Sequence, residues 1–195
     1  MPMKSRLLSR LVVTLAVGEV VLVLLSWFLS ATQWAPVRTL LSSEGVRWFF
    51  SGFTSWLASP PLAWLLLLSM AWGPLRRSGL LSRRPVRRRR LALRVALLLL
   101  LFYVGVILLL TVLPHALLLS ALGSLWQSPF SHAFIAIVAL GVILCAAAYG
   151  FVVRSFLTLA DLFQAMVDGL CVAAPLVLVY VLLIQFYESL CYIFF

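Results

Sequence analysis

Residues 11–31 read LVVTLAVGEVVLVLLSWFLSA, twenty-one positions carrying a single charge, Glu19, behind the bases Lys4, Arg6 and Arg10. At about 1.5 Å per residue such a run is roughly 32 Å long as a helix, a match to the roughly 30 Å hydrocarbon layer of a bilayer. A signal peptide would have a shorter apolar core and a small-x-small cleavage site. Here Thr32, Gln33 and Trp34 follow instead, so a retained spanning helix is expected.

The rest of the chain has the same character. Of its 195 residues, 65% are hydrophobic and 10% charged, with a mean hydropathy of +1.16. Soluble domains have about 45–50% apolar and about 25% charged residues. A chain this short has too little interior to hide that much apolar surface, so a soluble globular protein is excluded and lipid is the expected solvent. Further spans are expected at residues 95–113, 132–153 and 170–187, the last containing Pro175. Residues 61–75, with Trp64 and Trp72 near the ends, form a shorter crossing of about 22 Å, which needs help from the preceding segment or a thinner bilayer.

Between these lie segments of another kind. Residues 36–59 mix Arg38, Glu44 and Arg47 with Trp48, Phe49, Phe50, Phe53 and Trp56, which suits a helix lying in the interface, with Gly45 and Gly52 interrupting it. Residues 155–169 place Phe156, Leu159, Phe163, Met166 and Val167 at helical spacing among Asp161, Gln164 and Asp168, so a second surface helix is expected there. The expected fold is an all-α integral membrane protein, a single membrane domain over 1–195 with about five transmembrane helices plus interfacial amphipathic helices.

Charge sets the orientation. The formal net charge is +10, and nine arginines lie between Arg76 and Arg94, a basic loop over residues 76–94 flanked by apolar runs. With the N-terminus cytoplasmic, thirteen of the fifteen bases fall inside and only Arg38 and Arg47 outside. Five crossings then put the C-terminus outside. Cys145, Cys171 and Cys191 sit alone in apolar runs, so neither disulfide nor metal site is expected, and no cofactor motif, nucleophile elbow, phosphate-binding glycine loop or HExxH is present. Enzymatic chemistry is not expected.

Three groups of residues are candidates for chemistry. Glu19 is an acid deep inside a span; at the helix centre an Asp costs about 2.5–3.5 kcal/mol on insertion scales, so a cation, a proton or a partner such as Arg94 is the functional reading. The bland reading is a protonated acid, or one that reaches the inner interface. Gln185 and Glu188 are three apart and share a face of the last helix, as a polar contact between helices or subunits or as ordinary interfacial polarity. Arg83, Arg84, Arg87, Arg88, Arg89 and Arg90 are enough for topology and for contact with the lipids of an anionic leaflet, at about 1 kcal/mol each. A protein partner is the lesser reading, and nucleic acid is not expected, because no aromatic side chains interleave with the run. His115 and His132 lack a carboxylate or Cys at ligand spacing and read as interfacial.

The stretch Leu40-Leu41-Ser42-Ser43-Glu44-Gly45-Val46-Arg47-Trp48 resembles the Leu-Leu-Ser-x-Glu-Gly-x-x-Trp stretch that the p-aminobenzoyl-glutamate transporter (AbgT) family carries after its first span. Ser78-Gly79-Leu80-Leu81, Ser128-Pro129-Phe130, Tyr149-Gly150, Ala160-Asp161-Leu162 and Gln185-Phe186 follow in the family's order. The resemblance implies the bacterial cytoplasmic (inner) membrane and a possible homodimer, with Ala146, Ala147, Ala148 and Gly150 allowing close helix approach. The departures matter more. About a hundred residues with a re-entrant hairpin, which the family carries after the segment like 78–81, have no counterpart here, and the second hairpin is expected to be missing too. The family's substrate and sodium ligands lie in those hairpins, so none transfers. The expectation is a scaffold or subunit that does not transport alone. The alternatives are an active transporter of p-aminobenzoyl-glutamate-like or antimetabolite solutes as an oligomer, and an accessory subunit of a larger membrane complex.

Overall fold

A computed structural model describes residues 2–32, 38–81, 89–112 and 129–194. Arg83, Arg84, Arg87, Arg88 and His115 lie outside the described residues, as does most of the connection expected over 117–131, and the His132 side chain is likewise undescribed. The described chain is all helical: α1 (Pro2–Ala31), α2 (Ser43–Leu57), α3 (Pro60–Ser78), α4 (Arg89–Val112), α5 (Pro129–Val153) and α6 (Leu159–Phe194). Four of these, α1, α4, α5 and α6, are long and apolar enough to cross a membrane. A fifth candidate arises only if α2 and α3, bent by 42° at their junction, count as one broken span or re-entrant pair. That outcome matches the shortness of the second crossing, which cannot span without the segment before it.

Helix ends follow local chemistry. Ser42 caps α2, its hydroxyl accepting from the Gly45 N–H at 3.0 Å. Gly45 is buried against the Thr39 and Leu40 carbonyls, where a Cβ would lie 2.6 Å from each oxygen, so part of the Leu40–Trp48 motif is explained by the start of a helix. Gly79, at φ +79°, ends α3 in the left-handed conformation that glycine adopts freely. Arg154, at φ +63°, does the same after α5, and the Ser155 N–H returns to the Gly150 carbonyl at 2.8 Å. α6 opens on a reciprocal cap in which the Leu157 and Thr158 N–H groups each donate to Asp161 Oδ2 at 2.9 Å.

Two boundaries differ from the sequence reading. The separation expected between a surface helix at 155–169 and a span at 170–187 is absent, because α6 runs unbroken for 36 residues through Gly169 and Pro175. Neither residue breaks it: helices of this apolar kind tolerate Gly and Pro where their surroundings satisfy the freed backbone groups. α4 begins at Arg89, so Arg89, Arg90 and Arg94 stand on a helix and not in a loop. Arg89 and Arg90, two bases in the first turn of α4, oppose its dipole, so their placement answers a demand other than helix stability. Arg76 and Arg77, in the last turn of α3, have the favourable polarity.

The chain's contacts gather in two compact units, residues 1–63 with 174–195, and residues 64–173. In the second, α4 and α5 pack through small residues: Ala92 and Ala96 form a buried cluster with Tyr149. Ala146 is also fully buried, and the face of Gly150 is filled by the Phe156 ring. These small residues therefore serve packing within the chain. α3 and α6 approach even more closely, because a Cβ on Gly73 would overlap the Ala165 carbonyl and one on Gly169 the Ser69 carbonyl.

Candidate functional site

The first unit holds the polar site. Gly18 of α1 lets the Phe186 ring of α6 come to 3.4 Å of where a Cβ would stand, and this contact brings the following residue, Glu19, beside α6. There Ser189 Oγ donates to Glu19 Oε1 at 2.6 Å. Glu19 Oε2 is buried and has no hydrogen-bond partner; among the described residues it is the single buried side-chain oxygen or nitrogen in that condition.

Around this carboxylate is a cavity of about 280 Å³, lined by Glu19 and Val23 from α1, Leu40 from the segment leading into α2, Val46, Phe49 and Phe50 from α2 itself, and Gln185 and Ser189 from α6. Each element presents a helical face. Glu19, Val23 and Ser26 are spaced by four and three, and buried Ser26 receives the Leu40 N–H at 3.5 Å. Gln185 and Ser189 are one turn apart, followed by Tyr192, which stacks on Trp48 with ring centroids at 4.3 Å. Trp48 also meets Trp56 at 4.3 Å, and Ser59 shares a short hydrogen bond with the Tyr180 hydroxyl. Arg38 lies 6.0 Å over the Tyr192 ring and its N–H donates to the Ile193 carbonyl.

Of the acidic and amide candidates, Glu19 and Gln185 line one cavity, whereas Glu188 is not among the lining residues. Ser189, which sequence reasoning missed, makes the direct bond. Its signal was available: it sits four residues after Gln185 and is the next small polar side chain on that face.

The second unit has a polar cavity of about 300 Å³, lined by Arg76, Arg77 and Asp168 among others, and an apolar cavity. Arg77 pairs with Asp168 at 3.3 Å, and Gln164 Nε2 donates to the other Asp168 oxygen at 3.2 Å. With 43% and 56% of the two charged side chains exposed, this pair is a solvated contact. The apolar cavity, about 430 Å³, lies among residues of α4 and α5 from Leu100 to Cys145, with Leu75 and Leu80. Its one hydroxyl, on Tyr103, donates to the Ile137 carbonyl at 2.8 Å. Arg89 and Arg90, at the start of α4, are the described members of the arginine cluster.

No family model, curated protein or solved structure matches this chain.

Proposed function

We propose that this chain is a non-enzymatic membrane scaffold or subunit, resembling a shortened AbgT-type carrier, that does not move solute by itself. The observation that supports this reading is how little the apolar helices pack on one another. Over the most apolar windows of α1 and α4 only 6% of residues are buried within the chain, and over that of α6 only 11%. Van der Waals packing of close helices drives association in lipid, so faces left this bare are available to lipid or to helices of another copy or a partner chain. Among the described residues, the two cavities that hold charged groups, about 280 Å³ around Glu19 and about 300 Å³ beside Arg77 and Asp168, lie at the lower limit of the roughly 300–1,000 Å³ of sites that enclose drug-sized solutes.

In this reading the N-terminus is cytoplasmic, the C-terminus is outside the bacterial inner membrane, and the basic run from 76 to 94 lies against an anionic leaflet. The test is reconstitution. Purified chain in liposomes is expected to show no uptake of p-aminobenzoyl-glutamate or a sulfonamide, and mild-detergent extraction is expected to recover it in a larger assembly. Uptake by the purified chain alone would overturn the scaffold reading. It would favour the second one, an oligomeric transporter, whose support is that Glu19 and Gln185 share a cavity.

A further inference from the structure

We propose that Glu19, Ser189 and Gln185 form an exchangeable site for a small monovalent cation, a proton or an alkali ion, at the middle of the first span. This goes beyond the scaffold reading and is independent of it, because a cation site serves a structural subunit as well as a carrier.

Glu19 is the thirteenth of the 25 residues of the apolar stretch Leu7–Ala31, midway between the ends of that candidate span. An acid at such a place is retained against a cost, and pairing normally offsets it. Here the pairing is half complete. Oε1 has the Ser189 hydroxyl, and Oε2 has nothing although it is buried. A carboxylate oxygen without a donor in a low-dielectric site is costly, and a bound positive charge removes that cost.

Among the described residues, the lining of the cavity supplies no cation of its own. Val23, Leu40, Val46, Phe49, Phe50, Gln185 and Ser189 complete the lining, and none of them carries a charge or titrates near neutrality. They leave room beside the carboxylate, and the Gln185 amide and Ser189 hydroxyl add neutral oxygens to the charged pair. One negative charge with uncharged oxygen donors suits a single positive charge. A divalent ion would ordinarily draw on several carboxylates. A proton uses the same group by forming the acid at Oε2, and the two ligands therefore compete.

Labelling with dicyclohexylcarbodiimide, which attacks protonated carboxyl groups, tests this on the purified full-length chain in nanodiscs, read by peptide mass spectrometry. Glu19 is expected to be modified, at a rate that falls as pH rises. If an alkali ion is bound, sodium, lithium or potassium chloride slows modification at fixed pH, with choline chloride as the ionic-strength control. If only a proton is bound, the pH profile is unchanged by any of these salts. Ser189→Ala and Gln185→Ala are each expected to shift the half-protection point, in pH or in salt, by roughly tenfold, because the first removes the hydroxyl bonded to Oε1 and the second a neutral oxygen of the cavity lining. Modification of Glu44, which is exposed, in the same sample is the internal control for exposed carboxyls. Absence of Glu19 modification, modification indifferent to both pH and salt, or Ser189→Ala and Gln185→Ala variants that fold and keep the wild-type profile would each overturn the proposal.

Discussion

Two of the cavities among the described residues, the apolar one of about 430 Å³ and the one around Glu19, treat polar atoms in opposite ways. In residues 64–173 the larger cavity is lined almost wholly by aliphatic and aromatic side chains, and its hydroxyl is committed to the Ile137 carbonyl. The neighbouring polar groups are similarly used up: Ser155 Oγ donates to the Ser78 carbonyl at 3.1 Å, and the Cys145 thiol lies 3.8 Å from the Ala96 carbonyl. In the other unit the smaller cavity holds an acid with one oxygen left over. A segment with every polar group satisfied internally is built for cohesion, whereas an unsatisfied buried carboxylate is a stability cost that only a ligand removes.

The sharpest way to break this contrast is to attack cohesion where it is tightest. Gly73→Val or Gly169→Val places a side chain into the backbone of the facing helix. Overpacking commonly costs about 1–3 kcal/mol, and backbone overlap leaves the side chain no rotamer to escape into, so loss of monodisperse protein on size exclusion is expected. A variant as stable as wild type would mean that α3 and α6 do not cross at these glycines.

Next in size is an exchange of character between the cavities. Val142→Glu puts a carboxyl into the apolar cavity and is expected to lower stability by about 2–4 kcal/mol, close to the cost of a central charge on insertion scales. Glu19→Leu is expected to act with the opposite sign, raising the unfolding temperature in cation-free buffer while abolishing any stabilisation by added cation. If Glu19→Leu destabilises under those conditions, the carboxylate is a structural strut and the two cavities do not differ in kind. A smaller loss is expected for Tyr103→Phe, which removes one interhelical hydrogen bond; such bonds average about 0.6 kcal/mol in membrane proteins. Thermal unfolding in nanodiscs measures all three.

Much of this was legible in the sequence, and the parts that were not share a cause. The run at 11–31 declares its helix because length and apolarity are local properties, and Glu19 stands out in it because an acid amid twenty neutral neighbours needs no partner to be noticed. Ser42 three residues before Gly45 is likewise a local pattern. The continuity of α6 was hidden because the polar side chains at Asp161, Gln164 and Asp168 read as a surface helix, whereas Asp161 is used to cap the helix and Asp168 to pair with Arg77. Gly73 and Gly169 were unreadable for a deeper reason. A glycine in an apolar helix has the same local signature whether it faces lipid or another backbone, and only the tertiary approach distinguishes Gly105, which meets nothing within 4 Å, from Gly73.

The smallest effect sharpens the contrast from its polar edge. Arg77 and Asp168 are the one described ion pair, both are largely exposed, and Asp168 keeps its bond from Gln164 when Arg77 is lost. An exposed pair of this kind is worth about 0.2–1 kcal/mol, and the retained Gln164 bond places Arg77→Gln at the lower end. It is expected to change the unfolding temperature by less than Tyr103→Phe does, and raising the salt concentration should shrink even that difference through screening. The comparison carries weight because the orientation inferred from the arginines puts this end of α3 in water at the cytoplasmic face. If Arg77→Gln costs more than the loss of the Tyr103 bond, and the cost is indifferent to salt, the pair is in a low-dielectric setting. Arg76 and Arg77 would then lie within the hydrocarbon layer, and the cytoplasmic placement proposed for the basic run would fail.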